Sequence, residues 1–273
     1  MNDLLWILLF SLLSGVLSVL AASLFLILPT KYRNKAIPHF VSFATGALLG
    51  AAFLALIPDA LENHTVDVHN IGLTILIGIL LFFILEKFVL WRHCHSHDCE
   101  AHVQHISDNY SVVESDNKNV LVERHAAGTL IIIGDAIHNF VDGVLIAAAF
   151  LTDFHLGVVT SVAVAAHEIP QEIGDFAILL QSGYKRLTAM FYNILASLST
   201  VIGALLAYFS LASVNHVLPY VLALAAASFI YIAVADLIPG LHKRLQINTS
   251  IQQVILIVLG VVVIYLVHST LHA

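Results

Sequence analysis

Residues 126–151 read AAGTLIIIGDAIHNFVDGVLIAAAFL. The stretch holds no Lys or Arg and exceeds the roughly 20 residues that a helix needs to cross a hydrocarbon core. Its middle nonetheless carries Asp135, His138, Asn139 and Asp142. A charged side chain at that depth costs about 3 kcal/mol on insertion scales, so each needs a partner. An apolar span with acids inside it decides the fold class and directs the search for function.

Seven more apolar blocks lie outward from it, at about 4–28, 37–60, 70–91, 157–182, 187–210, 217–240 and 251–271. Hydrophobic residues make up 59% of the 273 and charged residues 11%, against about a quarter charged in a soluble domain. An ordinary soluble globule is excluded, and the pattern predicts an all-α integral membrane protein of eight transmembrane helices. The first block is read as a spanning helix, because Asp3 is its only early charge and its apolar run is too long for a signal peptide.

The basic residues orient the helices. Lys31, Arg33 and Lys35 follow helix one, and Lys87, Arg92, Lys118 and Arg124 flank or occupy the connection after helix three. Lys185 and Arg186 follow helix five, and Lys243 and Arg244 follow helix seven. Those four connections are therefore expected in the cytoplasm and both termini outside it. No nucleic-acid partner is expected.

The long connection, 92–125, is polar and holds His93, His95, His97, His102 and His105, a tract suited to metal capture. It is expected to be mostly disordered and divides one membrane domain into 1–91 (helices one to three) and 126–273 (helices four to eight). Both cysteines, Cys94 and Cys99, lie in it, so no disulfide framework is indicated. Helix two ends Leu54-Ala55-Leu56-Ile57-Pro58-Asp59-Ala60-Leu61 and helix seven ends Val234-Ala235-Asp236-Leu237-Ile238-Pro239-Gly240-Leu241. The similar endings, on helices running oppositely, suggest an inverted repeat of the kind found in secondary transporters.

Helix five carries His167-Glu168-Ile169-Pro170-Gln171-Glu172-Ile173-Gly174-Asp175. Counted from a turn centred on residue 154, His138 is 16 positions back and Pro170 is 16 forward. In an antiparallel pair such positions share a depth. His138 and Asp142, His167 and Gln171, and Glu168 and Glu172 are each four apart, and so each pair shares a helix face. Asp135, Asp142, Glu168, Glu172 and Asp175 lie inside apolar blocks that contain no basic residue, so either protons or a cation from solution must neutralise them. The imidazoles favour a transition metal over Na⁺ or Ca²⁺.

The paired motifs His138-Asn139-x-x-Asp142-Gly143 and His167-Glu168-x-Pro170-Gln171-Glu172 resemble those of the ZIP family (Zrt/Irt-like metal transporters), most of all the branch whose fifth helix carries HEXPHE. The resemblance spans essentially the whole chain. It implies uptake of a divalent metal into the cytoplasm, zinc first, with Fe²⁺, Mn²⁺ and Cd²⁺ also fitting; it further implies a 3+2+3 inverted-repeat fold and a homodimer. By motif position, His138, Asp142, His167 and Gln171 would form the primary site, and Asn139, Glu168 and Asp142 an adjacent subsite. Asp135, Glu172, Asp175 and Asp236 are expected as pathway or supporting residues. Elevator-like movement of helices four and five is a further implication. The sequence departs from the branch at Gln171, which stands where its signature has a histidine.

Two other functions remain open at this level. His167-Glu168 opens like the HExxH helix of zinc hydrolases, although Gln171 holds the place of the second histidine. A membrane metal sensor would also use the His-rich connection. The chain is expected to be a transporter rather than an enzyme, multi-pass, in a bacterial inner membrane or alternatively an organelle membrane.

Overall fold

In a computed structural model, residues 2–25, 27, 29–62, 66–93, 117–211, 214–242 and 247–271 are described, and among them there is no strand. Eight helical units follow one another: α1 (Asn2–Phe25), α2 (Thr30–Ala51, continuing through Ala52–Leu56 and Ile57–Glu62), α3 (Val68–His93) and α4 (Asn117–Thr152). The second half holds α5 (Phe154–Gln181), α6 (Arg186–Leu211), α7 (Leu218–Tyr231, continuing through Ile232–Leu237 and Ile238–His242) and α8 (Ile247–Leu271). α3 runs on to His93 and α4 begins at Asn117, so helix enters the expected 92–125 connection from both ends. His95, His97, His102 and His105 lie outside the described residues.

Seven of the units contain a stretch long and apolar enough to cross a membrane. The remaining one, α5, has 28 residues but carries His167, Glu168, Glu172 and Asp175 along its second half. The outer faces are apolar: Leu9, Leu13, Leu17 and Leu20 of α1, Leu76 and Leu80 of α3, and Val254, Val258 and Leu266 of α8 are all exposed. A belt of this extent needs an apolar surround, as a membrane or a partner protein supplies.

α2 and α7 share a distortion. The Ile57 amide bonds back to the Ala52 carbonyl and the Ile238 amide to the Ala233 carbonyl, each five residues away, in π-helical segments at Ala52–Leu56 and Ile232–Leu237. Each segment immediately precedes an Ile-Pro pair, Ile57-Pro58 or Ile238-Pro239. A proline inside an α-helix has no N–H and crowds the carbonyl four residues before it, and widening the turn relieves that clash.

Close crossings tie the helices together. An added Cβ on Gly143 of α4 would come 1.9 Å from the Thr200 carbonyl oxygen of α6, and one on Gly203 of α6 would come 2.0 Å from the Phe140 oxygen. The same reciprocal arrangement joins α2 to α8, where Gly46 faces Ile257 at 1.9 Å and Gly260 faces Phe43 at 2.3 Å. Only glycine permits backbones to approach so closely, as is common where helices pack in membranes. α5 packs against α1, α4 and α2, and is thus held in the interior.

Candidate metal site

The turn between α4 and α5 sets the register of the site. Asp153 caps α5, its Oδ1 accepting from the amides of His155 (2.7 Å) and Leu156 (3.2 Å), so the two helices run antiparallel from a fixed point. His138 and His167 then meet, their Nε2 atoms 3.2 Å apart, although the count from residue 154 sets Pro170, three residues further on, level with His138. Asp142 Oδ2 lies 3.1 Å from His167 Nε2 and 3.7 Å from His138 Nε2. Glu168 Oε1 is 3.7 Å from His138 Nε2 and 4.0 Å from His167 Nε2. One ligand atom from each of these four residues falls within 4.8 Å of all the others.

The hydrogen bonds show what the set lacks. His167 Nδ1 lies 3.1 Å from the Ala163 carbonyl oxygen, and a nitrogen facing a carbonyl must carry the proton. In the neutral ring this leaves Nε2 with a lone pair aimed at His138 and Asp142, the arrangement by which proteins orient a metal-binding histidine. Both oxygens of Asp142 and both of Glu168 are buried without a hydrogen-bond donor. Buried polar atoms are rarely left unpaired, and a carboxylate is the most costly to leave so. A cation among the four side chains would meet every one of these demands.

A second group lies one turn along. Asp135, Glu168 and Glu172 also bring one oxygen each within 4.8 Å of one another, and all three are buried. At that separation two like charges repel by about 3 kcal/mol with an effective dielectric constant near 20. Glu172 is fixed by α6, its Oε2 accepting from Asn193 Nδ2 (2.8 Å) and its Oε1 from Ser197 Oγ (2.9 Å).

Two residues expected as ligands are engaged differently. Asn139 donates from Nδ2 to Asp135 Oδ1 (2.9 Å), while its Oδ1 accepts from Thr200 Oγ1 (2.8 Å). Gln171 Nε2 points to the same Asp135 oxygen at 3.5 Å. Both amides turn an N–H toward Asp135, so in this conformer they orient that acid.

One side of the site is hollow. A cavity of about 500 Å³ is lined by His138, His167, Gln171 and Pro170, and further out by Asp135, Asp175, Glu86, Tyr231 and Asp236. Asp175 and Asp236, expected along a pathway, both reach it. Glu86 of α3 and Tyr231 of α7 escaped the sequence reading: the Tyr231 hydroxyl donates to Glu86 Oε2. The partners stand 145 residues apart, and no local sequence pattern links them.

Known proteins resemble this chain over most of its length. The family model described as "ZIP Zinc transporter" matches residues 3–268. The protein named zinc transporter zipt-7.1 of Caenorhabditis briggsae is 29% identical over 313 residues, which cover 96% of this chain and 79% of that protein. Zinc transporter ZIP13 of Pongo abelii is 31% identical, over 93% of this chain and 74% of its own length. Its Homo sapiens counterpart is 29% identical, over 93% and 77%. The chain belongs to the ZIP zinc transporter family.

Proposed function

We propose that the chain moves Zn²⁺ across a membrane into the cytoplasm through the site formed by His138, Asp142, His167 and Glu168. The observation that carries this reading is the set of four buried carboxylate oxygens, two on Asp142 and two on Glu168, with no donor of their own. They sit beside two imidazole nitrogens in a span without Lys or Arg. Two imidazoles with carboxylates suit a borderline ion such as zinc. The family is one of transporters and not enzymes, which answers the hydrolase alternative.

Eight spans follow if α5 crosses the bilayer with the other seven, its acids facing the interior, where they are buried or half-buried. Under the charge rule for the loops, the ends of α3 and α7 and the start of α4 face the cytoplasm. Glu86, Asp236 and Asp135, which line the cavity, lie toward those ends, so this conformer opens inward. The matched π-segments before Ile57-Pro58 and Ile238-Pro239 support reading α1–α3 and α6–α8 as inverted repeats about α4 and α5. A homodimer is proposed on the family resemblance.

The test is Zn²⁺ influx into liposomes containing the purified protein and an internal zinc-sensitive dye. His138→Ala and His167→Ala are each expected to cut influx at least tenfold, since loss of a supporting residue alone commonly costs about 10–100-fold. Wild-type influx in both variants would remove the site.

A further inference from the structure

We propose that Thr200 of α6 is a positioning residue for the transport route: its hydroxyl fixes the Asn139 amide, and that amide aims the Asp135 carboxylate into the cavity. The inference rests on the function proposed above in one respect, since it takes the cavity as the ion's way to or from the histidines.

The first observation is where the hydroxyl points. A serine or threonine inside a helix commonly donates to the carbonyl one turn earlier. Ser42 and Thr45 of α2, Thr152 of α4 and Ser161 of α5 all do so, to Pro38, Val41, Ala148 and Gly157 at 2.7–3.0 Å. Thr200 instead donates across the α4–α6 seam to Asn139 Oδ1, at 2.8 Å. Both residues are buried, so bulk water offers neither of them a substitute partner.

The second observation is what the amide does with its other end. Asn139 Nδ2 donates to Asp135 Oδ1 at 2.9 Å and lies 3.2 Å from the Asp135 carbonyl oxygen. Turned about, the amide would set its own oxygen against both of those acceptors. With Thr200 holding Oδ1 and Asp135 taking Nδ2, each end of the amide has a suitable partner. Asp135 in turn lines the cavity. Thr200→Val keeps the shape and removes the donor, which leaves Oδ1 buried and unpaired. That state is unfavourable, and the amide relieves it by rotating off Asp135. Among the described residues α6 supplies nothing to the four-residue cluster, yet it sets the pose of an acid on the ion's path.

Initial Zn²⁺ influx into liposomes, measured over a range of Zn²⁺ concentrations, tests the proposal as a double-mutant cycle. Thr200→Val is expected to lower maximal influx about three- to tenfold, less than the loss of a direct supporting residue, with the half-saturating concentration unchanged. Thr200→Ser keeps the donor and should restore wild-type influx. Thr45→Val removes a hydroxyl that bonds only within its own helix, and should leave influx unchanged. Adding Thr200→Val to Asp135→Asn should lower influx no further than Asp135→Asn alone, because a residue that acts through Asp135 then has nothing to act on. An undiminished further loss in that double variant, wild-type influx in Thr200→Val, or an equal loss in Thr200→Ser would overturn the proposal. Thr200→Ala takes the place of Thr200→Val if the latter is not recovered as folded protein. Failure of the four-residue site shows instead in the histidine variants, so the two readings fail on different measurements.

Discussion

The two halves of the α4–α5 pair, on either side of the histidines, differ in almost every physical respect. From His138 back toward Gly134, and from His167 on toward Asp175, the surfaces line a cavity of about 500 Å³ dotted with acids. In the other direction lie Leu145, Ile146, Ala149 and Phe150 of α4, facing Leu156, Val159, Ala163 and Val164 of α5, all buried in one apolar core. Phe229 of α7 packs on the His167 ring at 6.0 Å between centroids and closes that side. On the proposed reading, a cation would reach His138 and His167 from the cavity side. The difference teaches that this conformer is not an open pore: passage to the other face requires the apolar half to separate.

The contrast is broken or sharpened first by chemical access, where the largest effect is expected. With Cys94 and Cys99 changed to serine, a cysteine at Gly174 has nothing within 4 Å of its Cβ and faces the cavity. A cysteine at Ala163 is wholly buried. A membrane-impermeant maleimide should label Gly174→Cys at least tenfold faster than Ala163→Cys, since reaction at the buried site needs local opening. Equal rates would show that the apolar half is as open as the other.

The same substitution on both sides gives the next effect. Gly143→Ala drives a Cβ to within 1.9 Å of the Thr200 carbonyl and forces α4 and α6 apart, at a cost of about 1–3 kcal/mol. Gly174→Ala meets nothing and removes a flexible helix residue, so it should be neutral or stabilising by up to about 1 kcal/mol. Thermal melts of detergent-purified protein compare them. A Gly143→Ala melt equal to that of Gly174→Ala would mean that the α4–α6 seam is loose.

How much of this was legible in the sequence follows from what helical periodicity carries. A helix converts residue count into depth and face, so counting from residue 154 sets the polar clusters of α4 and α5 at about one depth, with Pro170 level with His138 and His167 nearly a turn short of it. Periodicity carries nothing about side-chain rotation. Asn139 and Gln171 lie on the expected helices, yet their amides turn to Asp135, a choice set by Thr200 and Asp135 at once. Nothing in the sequence of α6 reveals that Glu172 of α5 points at Asn193 and Ser197. The π-segments were half legible: the two Ile-Pro pairs stood out, while the widened turns ahead of them needed coordinates. Hydropathy is weakest where polar residues are densest, since the histidines, acids and amide along α5 keep it out of the set of apolar spans.

The smallest expected effect concerns the rim of the hollow half. Tyr231 of α7 donates to Glu86 of α3 where both line the cavity, and thereby ties two helices that otherwise contribute no ligand. Tyr231→Phe removes that one hydrogen bond and keeps the ring packed against Phe82, whose centroid is 6.5 Å away. A hydrogen bond to a charged group contributes about 1.5–3 kcal/mol, and a half-buried one falls at the low end. If the bond holds the cavity in its present shape, its loss shifts the balance of conformers by no more than about tenfold. The change should then appear in the labelling rate of Gly174→Cys, with Zn²⁺ affinity at the His138–His167 site unaltered. The opposite pattern, weakened Zn²⁺ binding with unchanged labelling, would mean that Tyr231 and Glu86 act on the ion itself.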